Sequence, residues 1–377
     1  MKFKVPKNTL DKAIKSVSKA VPSKGVQPIL NNILLENKNG KLTLNATDLD
    51  FTIEATIPSQ NEEEGSITIS ARKLEEVVSK LDEDEIYIQV DPESFKTNLI
   101  CKKSHFDLVG VSADDFPKID KPDVSSFVTI EKNTFSKIVN LVAFAASKYD
   151  TNNILGGVLF VIRRDAETNK QIFEMAATDG NRLSSYEYVL NGDNQVSNIE
   201  AVVPLKIVMD VQRILDSSVD DNIQISFLNK QVIFFTQDRF IVSRLVEGVY
   251  PKYKQLIPQN HDKMAQLDRK ELLSCLERIA VMANEITNLV KLSFKDNKLT
   301  IESSNQDFGK ADEEMMAEYM GETLDIFFNV KYLIEPLKNI DSQMIQVSMA
   351  GPVTAIVIKP ISDESFIHLV MPIKHSS

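Results

Sequence analysis

The side chains that could do chemistry are few and scattered. His105, His261, His368 and His375 occur in no H-x-x-x-H or H-x-x-E-H spacing, which argues against a histidine-based metal site. Cys101 and Cys275 are the only cysteines. They exclude a disulfide framework and a cysteine-rich zinc site, and suit a reducing compartment. Cys275 shares an apolar helical face with Leu272, Leu276 and Ile279 and reads as core. Asp48 and Asp50 in ATDLD could pair on a metal, but Asp-x-Asp at a strand end caps a turn. Asp114-Asp115 before Phe116-Pro117 is turn chemistry, and Asp179-Gly180 in ATDGNRL could be a hairpin turn. There is no P-loop, G-x-S-x-G or HExxH. The residues therefore predict no catalytic group, no metal and no cofactor.

The elements that must position these residues repeat. A short strand at 1–5 leads into a helix over 7–20, with Leu10, Ile14 and Val17 at helical spacing, then strands at 29–36, 41–46 and 51–57. Asn39-Gly40 between the first two of these predicts a type I′ hairpin. The order β-α-β-β-β then recurs with helices over 71–81, 131–148, 204–215, 268–284 and 330–340. Six such units, taken in pairs, give three domains: 1–122, 123–253 and 254–377. The proline-bearing stretches FPKIDKPD and YPKYKQLIPQN read as the linkers, each just after a third strand. The fold class is α+β, and sheets continued across the domain boundaries would leave few free edges.

The chain has 377 residues, 43% hydrophobic and 26% charged, which is ordinary for globular protein with two or three domains. No apolar run nears the roughly 20 residues a membrane helix needs, and MKFKVPKNTL has no signal-peptide core. A cytoplasmic location without membrane contact is expected. The net charge of −11 argues, alone, against nucleic acid as a partner.

The segments QPILNNILLE, LTLNATDLD, SARKL, ADDFP, ATDGNRL, EGVYPKY, NVKYL and VMPI, in this order and spacing, resemble the bacterial DNA polymerase III beta subunit, the beta sliding clamp. The resemblance covers essentially the whole chain. It implies three copies of one clamp domain per chain and a head-to-tail homodimer. That dimer would be a ring around double-stranded DNA, lined by helices and walled by sheets. It implies a non-catalytic processivity factor whose partners are the DNA polymerase III catalytic subunit, the clamp loader, and other DNA polymerases and repair proteins carrying clamp-binding motifs.

Charge agrees with a helix-lined hole. Counted over 7–20, 71–80, 131–148, 205–216, 268–285 and 330–340, the six predicted helices together carry +6, leaving −17 for the rest of the chain. A basic lumen attracts phosphate while an acidic exterior repels wrong contacts. Lysines on long stems give phosphate contact without base readout, as sliding requires. Lys12, Lys15, Lys19, Lys137 and Arg213 are the candidate DNA contacts on helices. By the resemblance, Lys24 in VPSKGVQ and Tyr149, with Asn152 and Asn153, are candidates on loops.

The resemblance also implies a pocket for short linear peptides. It would be formed by Leu155, Thr178, Gly180, Arg182, Leu183, Pro251, Asn329, Tyr332, Val353, Val370, Met371 and Pro372. Apolar residues would supply the groove and a few polar ones the orientation, with Met adapting to different ligands. The dimer contact would set Lys73, Lys103, His105 and Phe106 against Met282, Asp307, Asp312 and Glu313. The sequence departs from the family at Asn181, Lys254-Gln255, Ala355, Thr287, Gly309 and Lys310. Pro336 falls inside the last helix, where it removes a hydrogen bond. Two other readings compete: a DNA-modifying enzyme with a metal at Asp48/Asp50, and a protein-binding scaffold that does not touch DNA.

Overall fold

A computed structural model describes residues 1–23, 27–118, 121, 126–148, 153–191, 196–228, 230–305 and 307–374. The first third runs β1 (Lys2–Pro6), α1 (Lys7–Val17), β2 (Asn32–Lys38), β3 (Lys41–Thr47), β4 (Phe51–Pro58), β5 (Gln60–Glu63), β6 (Gly65–Ser70), α2 (Ala71–Lys80), β7 (Glu85–Val90), β8 (Lys96–Cys101) and β9 (Ser104–Val111). The middle runs β10 (Val128–Glu131), α3 (Lys132–Val142), β11 (Gly157–Arg164), β12 (Gln171–Thr178), β13 (Arg182–Val189), β14 (Ile199–Pro204), α4 (Leu205–Ser217), β15 (Asn222–Leu228), β16 (Gln231–Phe235) and β17 (Arg239–Arg244). The last third runs β18 (Lys263–Asp268), α5 (Arg269–Ala280), β19 (Leu289–Lys295), β20 (Lys298–Asn305), β21 (Gly309–Met316), β22 (Glu318–Met320), β23 (Leu324–Asn329), α6 (Val330–Asn339), β24 (Met344–Met349), β25 (Ile356–Pro360) and β26 (Phe366–Val370). The β-α-β-β-β order is thus traversed six times.

Local chemistry explains these elements. In α1, Leu10, Ala13, Ile14 and Val17 are buried at i, i+3, i+4 and i+7, while Lys12 and Lys15 face outward. Asn39 and Gly40 have φ of 52° and 73°, the left-handed pair of a type I′ turn, and Lys38 faces Lys41 across it. One capping contact recurs in each third. The first amide of α1 donates to Asp84 O at 2.9 Å, that of α3 to Asp221 O at 2.7 Å, and that of α5 to Gln343 O at 2.9 Å. Each acceptor lies in the loop after the second helix of its third, so an otherwise orphaned helical N–H is satisfied the same way three times.

The chain divides into two units, the first chiefly Met1–Phe135 and Met209–Leu245, the second Ser136–Gly192, Ser197–Val208 and Val246–Ser377. The first holds one antiparallel sheet in the order β10-β15-β16-β17-β4-β3-β2-β6-β9-β8-β7-β1-β5. The second holds β14-β11-β12-β13-β26-β25-β24-β18-β22 and a smaller sheet, β21-β20-β19-β23. Sheets therefore continue between thirds, through β4 with β17 in the first unit and β13 with β26 in the second. Buried aromatic pairs anchor the cores: Phe135 with Phe234 in the first unit, Phe160 edge-on to Phe173 at 5.5 Å in the second.

The structure departs from the sequence pattern in detail. The strand expected at 29–36 starts only at Asn32, because Pro28 opens a 3-10 turn over Pro28–Asn31. The helices expected over 7–20 and 131–148 end as α-helix at Val17 and Val142, each followed by a 3-10 turn. The strand expected at 353–358 begins at Ile356. The strand expected near 310–318 is two strands. β21 pairs with β20, and after Ala317, whose N–H donates to Asn297 O at 3.0 Å, β22 joins β18 in the other sheet. That break, and β5, have no periodic signal to announce them.

Gly157 opens β11 opposite Pro204. Its φ of −117° is ordinary, but a Cβ there would lie 2.4 Å from Val202 Cγ1 and 2.9 Å from Val203 O. The carbonyl belongs to the ladder and cannot yield. Gly157→Ala is expected to cost about 1–3 kcal/mol, read as a lower midpoint of urea unfolding. An unchanged midpoint would mean that the β11–β14 edge is loose.

Candidate functional site

The TDGNRL turn is built by its own side chains. Asp179 Oδ1 accepts from the N–H groups of Asn181 (3.0 Å) and Arg182 (3.1 Å). Thr178 Oγ1 donates to Arg182 O at 2.6 Å and accepts from Gly180 N–H at 3.1 Å. Gly180 has a φ of +89°, and a Cβ there would meet nothing within 4 Å. Glycine is needed for the backbone angle, and the position lies open. Past the turn, β13 pairs with β26, setting Arg182 opposite Val370, Leu183 opposite Leu369 and Ser184 opposite His368. Met371 N–H then donates to Asn181 O, and Ile373 N–H to Phe327 O, each at 2.8 Å. These bonds steer the segment 371–373 along the rim of the turn.

Arg182 is 5% exposed and fully committed. Its Nε donates to Asp179 Oδ2 at 3.0 Å, Nη2 to Phe144 O at 2.8 Å, and Nη1 to Glu335. The guanidinium lies 4.6 Å from the centre of the Tyr332 ring. Glu335 also meets Lys148 at 3.5 Å. Asn329 caps α6, its side chain accepting from Lys331 N–H at 3.0 Å. The backbone and Arg182 therefore hold the first turn of α6 beside β13.

Beneath the rim is an apolar floor: Leu159, Leu183, Val202, Tyr250, Tyr253, Ala355, Val357 and Leu369, with Leu155 packed against it. Of the twelve expected pocket residues, Arg182, Leu183, Thr178 and Val370 are buried and act as frame. Gly180, Pro251, Val353 and Met371 are exposed, the last two by 61% and 43%. Pro372 and Leu155 are half-buried. The arrangement is a shallow apolar surface with adaptable side chains at its edge, suited to a short apolar segment and carrying no reactive group.

Lys254, a departure from the family pattern, is accounted for. Its ammonium bonds Glu174 Oε2 at 2.8 Å and Glu187 Oε1 at 2.9 Å. Glu174 is buried, also bonds the Tyr253 hydroxyl, and faces Arg163. Burial pushes the Tyr253 phenol well up, and the nearby Glu174 charge adds to it. Burial would lower Lys254, but its two carboxylate partners hold its pKa above the usual lysine value.

The candidate DNA contacts fall into three groups. Lys12 is exposed on α1. Lys15 pairs with Asp11 at 2.6 Å, Lys19 and Arg213 each approach Asp210 at 3.6 Å, and Lys137 meets Asp363 at 3.0 Å. These pairs trim the positive charge of the helices without removing it, since exposed ion pairs are weak. Lys24, Tyr149 and Asn152 lie outside the described residues, and Asn153 caps the turn before β11 through Leu155 N–H.

The candidate dimer residues lie on or beside two strand edges that are unpaired among the described residues. β9 bonds β8 along its length but β6 only at Gly110 and Val111, so its 104–109 edge is open. Lys103, His105 and Phe106 are exposed there, with Lys73 on α2 bonded to Glu76 at 2.8 Å. β21 ends its sheet. Asp307 and Asp312 are exposed, Glu313 pairs with Arg278 at 2.8 Å, and Met282 Cε stands 3.9 Å from a Cβ built on Gly309. Lys310 pairs with Glu302 at 2.8 Å, so its charge is turned into its own sheet.

The carboxylates that could have suggested a metal are spent on structure. Asp48 Oδ1 accepts from Asp50 N–H at 3.0 Å and Phe51 N–H at 2.7 Å, and Asp50 pairs with Arg244 at 3.0 Å. Among the described residues, no three His, Cys, Asp or Glu side chains are grouped to hold a metal ion, and no helix is long and apolar enough to cross a membrane. Burial, with Glu313 nearby, pushes the Cys275 thiol up to about 11, which keeps it protonated. Sequence reasoning missed two residues that matter to the site, His368 and Glu335. For the first, a histidine inside the apolar strand segment FIHLV was the available signal, and its full burial is visible only in the fold.

Family models of the DNA polymerase III beta subunit match the chain in order: the N-terminal domain over 1–120, the central domain over 129–252 and the C-terminal domain over 254–374. The beta sliding clamp of Synechococcus elongatus is 33% identical over 381 residues, 99% of each chain. That of Bacillus subtilis is 29% identical over 385 residues, 99% of this chain and 100% of the other. The crystal structure of the DNA polymerase sliding clamp from Bacillus subtilis superposes with a TM-score of 0.92 at 29% identity, covering 100% of both chains. A putative DNA polymerase III beta subunit from Eubacterium rectale gives 0.91 at 28%, again over 100% of both. With three clamp domains, and six α-helices and antiparallel sheets among the described residues, this chain belongs to the DNA polymerase III beta subunit family, the sliding clamps, and is a non-catalytic processivity factor.

Proposed function

We propose that two copies of this chain close head to tail into a ring around duplex DNA, without sequence specificity, in the cytoplasm. The ring tethers the catalytic subunit of DNA polymerase III for processive synthesis. The clamp loader and other DNA polymerases and repair proteins share the pocket at β13, β26 and α6. The domains are 1–122, 123–253 and 254–377. The observation that carries this reading is the match of three consecutive family domains from residue 1 to residue 374.

Physical features support it. β9 in the first unit and β21 in the second each offer a strand edge that is unpaired among the described residues, and a heterologous contact between such edges that closes makes a ring. Each edge left bare would be an aggregation hazard. Lys103 beside one edge, against Asp307 and Asp312 beside the other, gives the contact complementary charge, with His105, Phe106 and Met282 between them. Lys12, Lys15, Lys19, Lys24, Lys137, Tyr149 and Arg213 supply diffuse phosphate contact, which screens readily and permits sliding.

The test is topological. Protein loaded on nicked circular DNA is expected to stay bound and to leave when the circle is cut. The Phe106→Ala, Met282→Ala double variant is expected to run as a monomer at low micromolar concentration and to lose retention. Equal retention on linear DNA sinks the ring, and a persistent dimer of the variant sinks the edge assignment.

For the pocket, whole-segment truncation is a poor probe, because 371 and 373 make backbone bonds. Val353→Ala with Met371→Ala removes exposed apolar surface alone. Binding of a synthetic peptide carrying the clamp-binding segment of the replicative polymerase is expected to weaken about tenfold or more, with dimer mass and melting temperature unchanged. Full affinity in this variant would remove the pocket assignment.

A further inference from the structure

Pro336 lies inside α6 and has no N–H to give the carbonyl four residues back, which is that of Tyr332. A donor reaches that carbonyl from another strand: His368 Nε2 lies 3.2 Å from Tyr332 O. A carbonyl only accepts, so Nε2 carries the proton and Nδ1 of the neutral ring is an acceptor. Ser184 Oγ, 2.7 Å from Nδ1, donates to it. His368 and Ser184 are fully buried and face each other across the β13–β26 ladder. Phe144 covers the imidazole at 5.5 Å between ring centres.

We propose that His368 is the positioning residue of the peptide pocket, holding the Tyr332 carbonyl that Pro336 cannot serve and thereby fixing the first turn of α6 against β13 and β26. The inference rests on the pocket reading above. Its consequence is pre-organisation. The Tyr332 ring stays stacked on Arg182 and Asn329 stays in its cap before any ligand arrives, so less ordering is left to do on binding. A proline in a helix and a histidine in a strand, each unfavourable alone, complement each other here. Burial, reinforced by the Arg182 charge, lowers His368 to about 3, so the ring stays neutral at working pH. The charge that acts on it is that of Arg182 on β13, which is itself bonded to Asp179 and to Glu335 on α6.

Peptide affinity of the full-length protein tests this through four variants. His368→Gln keeps a donor at the place of Nε2, and His368→Asn keeps polarity only near Nδ1. Gln is expected to bind within about twofold of the parent and Asn about tenfold more weakly. His368→Phe is expected to lose about tenfold, and adding Pro336→Ala, which restores an amide for Tyr332 O, to recover most of the loss. Equal affinities for Gln and Asn overturn the proposal, as does a Phe variant that Pro336→Ala does not rescue. If His368→Phe fails to fold, the Gln and Asn pair still decides. Loss of binding by Val353→Ala with Met371→Ala beside full affinity in all His368 variants would sink this inference and spare the pocket. No peptide binding by the parent would sink both.

A pH readout separates neutral burial from bulk packing. The unfolded chain protonates this histidine near 6.5 and the folded chain only near 3. The folded state thus binds fewer protons in that window, and stability present above pH 6.5 is lost as pH falls toward 3. The parent's melting temperature is expected to fall more steeply than that of His368→Gln between pH 7 and 4. Parallel curves would show that the imidazole titrates normally and overturn its role as a sealed, neutral donor.

Discussion

The ladder between β13 and β26 joins residues 180 to 188 positions apart, and the candidate site is assembled on it. Backbone pairing leaves no freedom of register once one face of each strand is buried, because a slip of one residue would turn every side chain over. The register that puts Leu183 and Leu369 into the apolar floor also sets Ser184 against His368 and aims Val370 into Met371 and Pro372. The rim and apolar floor of the candidate site and the bond to α6 therefore all follow from one set of hydrogen bonds. In the first unit, the β4–β17 ladder does the same job of joining strands from different thirds.

Polar side chains in the second unit are spent on this framework. By the family resemblance, Arg182 is one of the polar groups that would orient a bound peptide. In the fold its donors go to Asp179, Phe144 O and Glu335, and its face to Tyr332. A buried guanidinium with an acceptor at each of its three nitrogens is costly to redirect, so it orients the candidate site, while Val353 and Met371 stay exposed at its edge. Lys254 is likewise consumed by Glu174 and Glu187. Several helix cations are paired within their own units, which moderates their field while leaving long, mobile charges at the surface.

Much of the fold was legible because its signals are local. Asn39-Gly40 specifies its turn by backbone angle, and the apolar spacing in α1 specifies its buried face. The six-fold recurrence of β-α-β-β-β needs only periodicity to be seen. Other features gave no local sign. Pro28 turns the chain before β2 begins, and the strand near 310–318 changes sheets at Ala317 because each half finds a different partner. For Pro336, the sequence showed a missing hydrogen bond, but its replacement comes from a strand 30 residues further on.

The sequence by itself determined the family, the repeat and the chemical poverty of the chain, and it named the candidate pocket residues. Each of these is written in residue type and spacing along the chain. Only the tertiary structure decided which of those residues are frame and which are surface. Leu183 and Val370 lie under the site while Val353 and Met371 stand at its rim, and their hydrophobicity alone does not separate them. The structure also decided that His368 faces Tyr332 O and that Arg182 is already occupied. Burial and hydrogen bonding depend on what the neighbouring strand and helix bring, and those neighbours are set by strand pairing between distant segments, which no local pattern encodes.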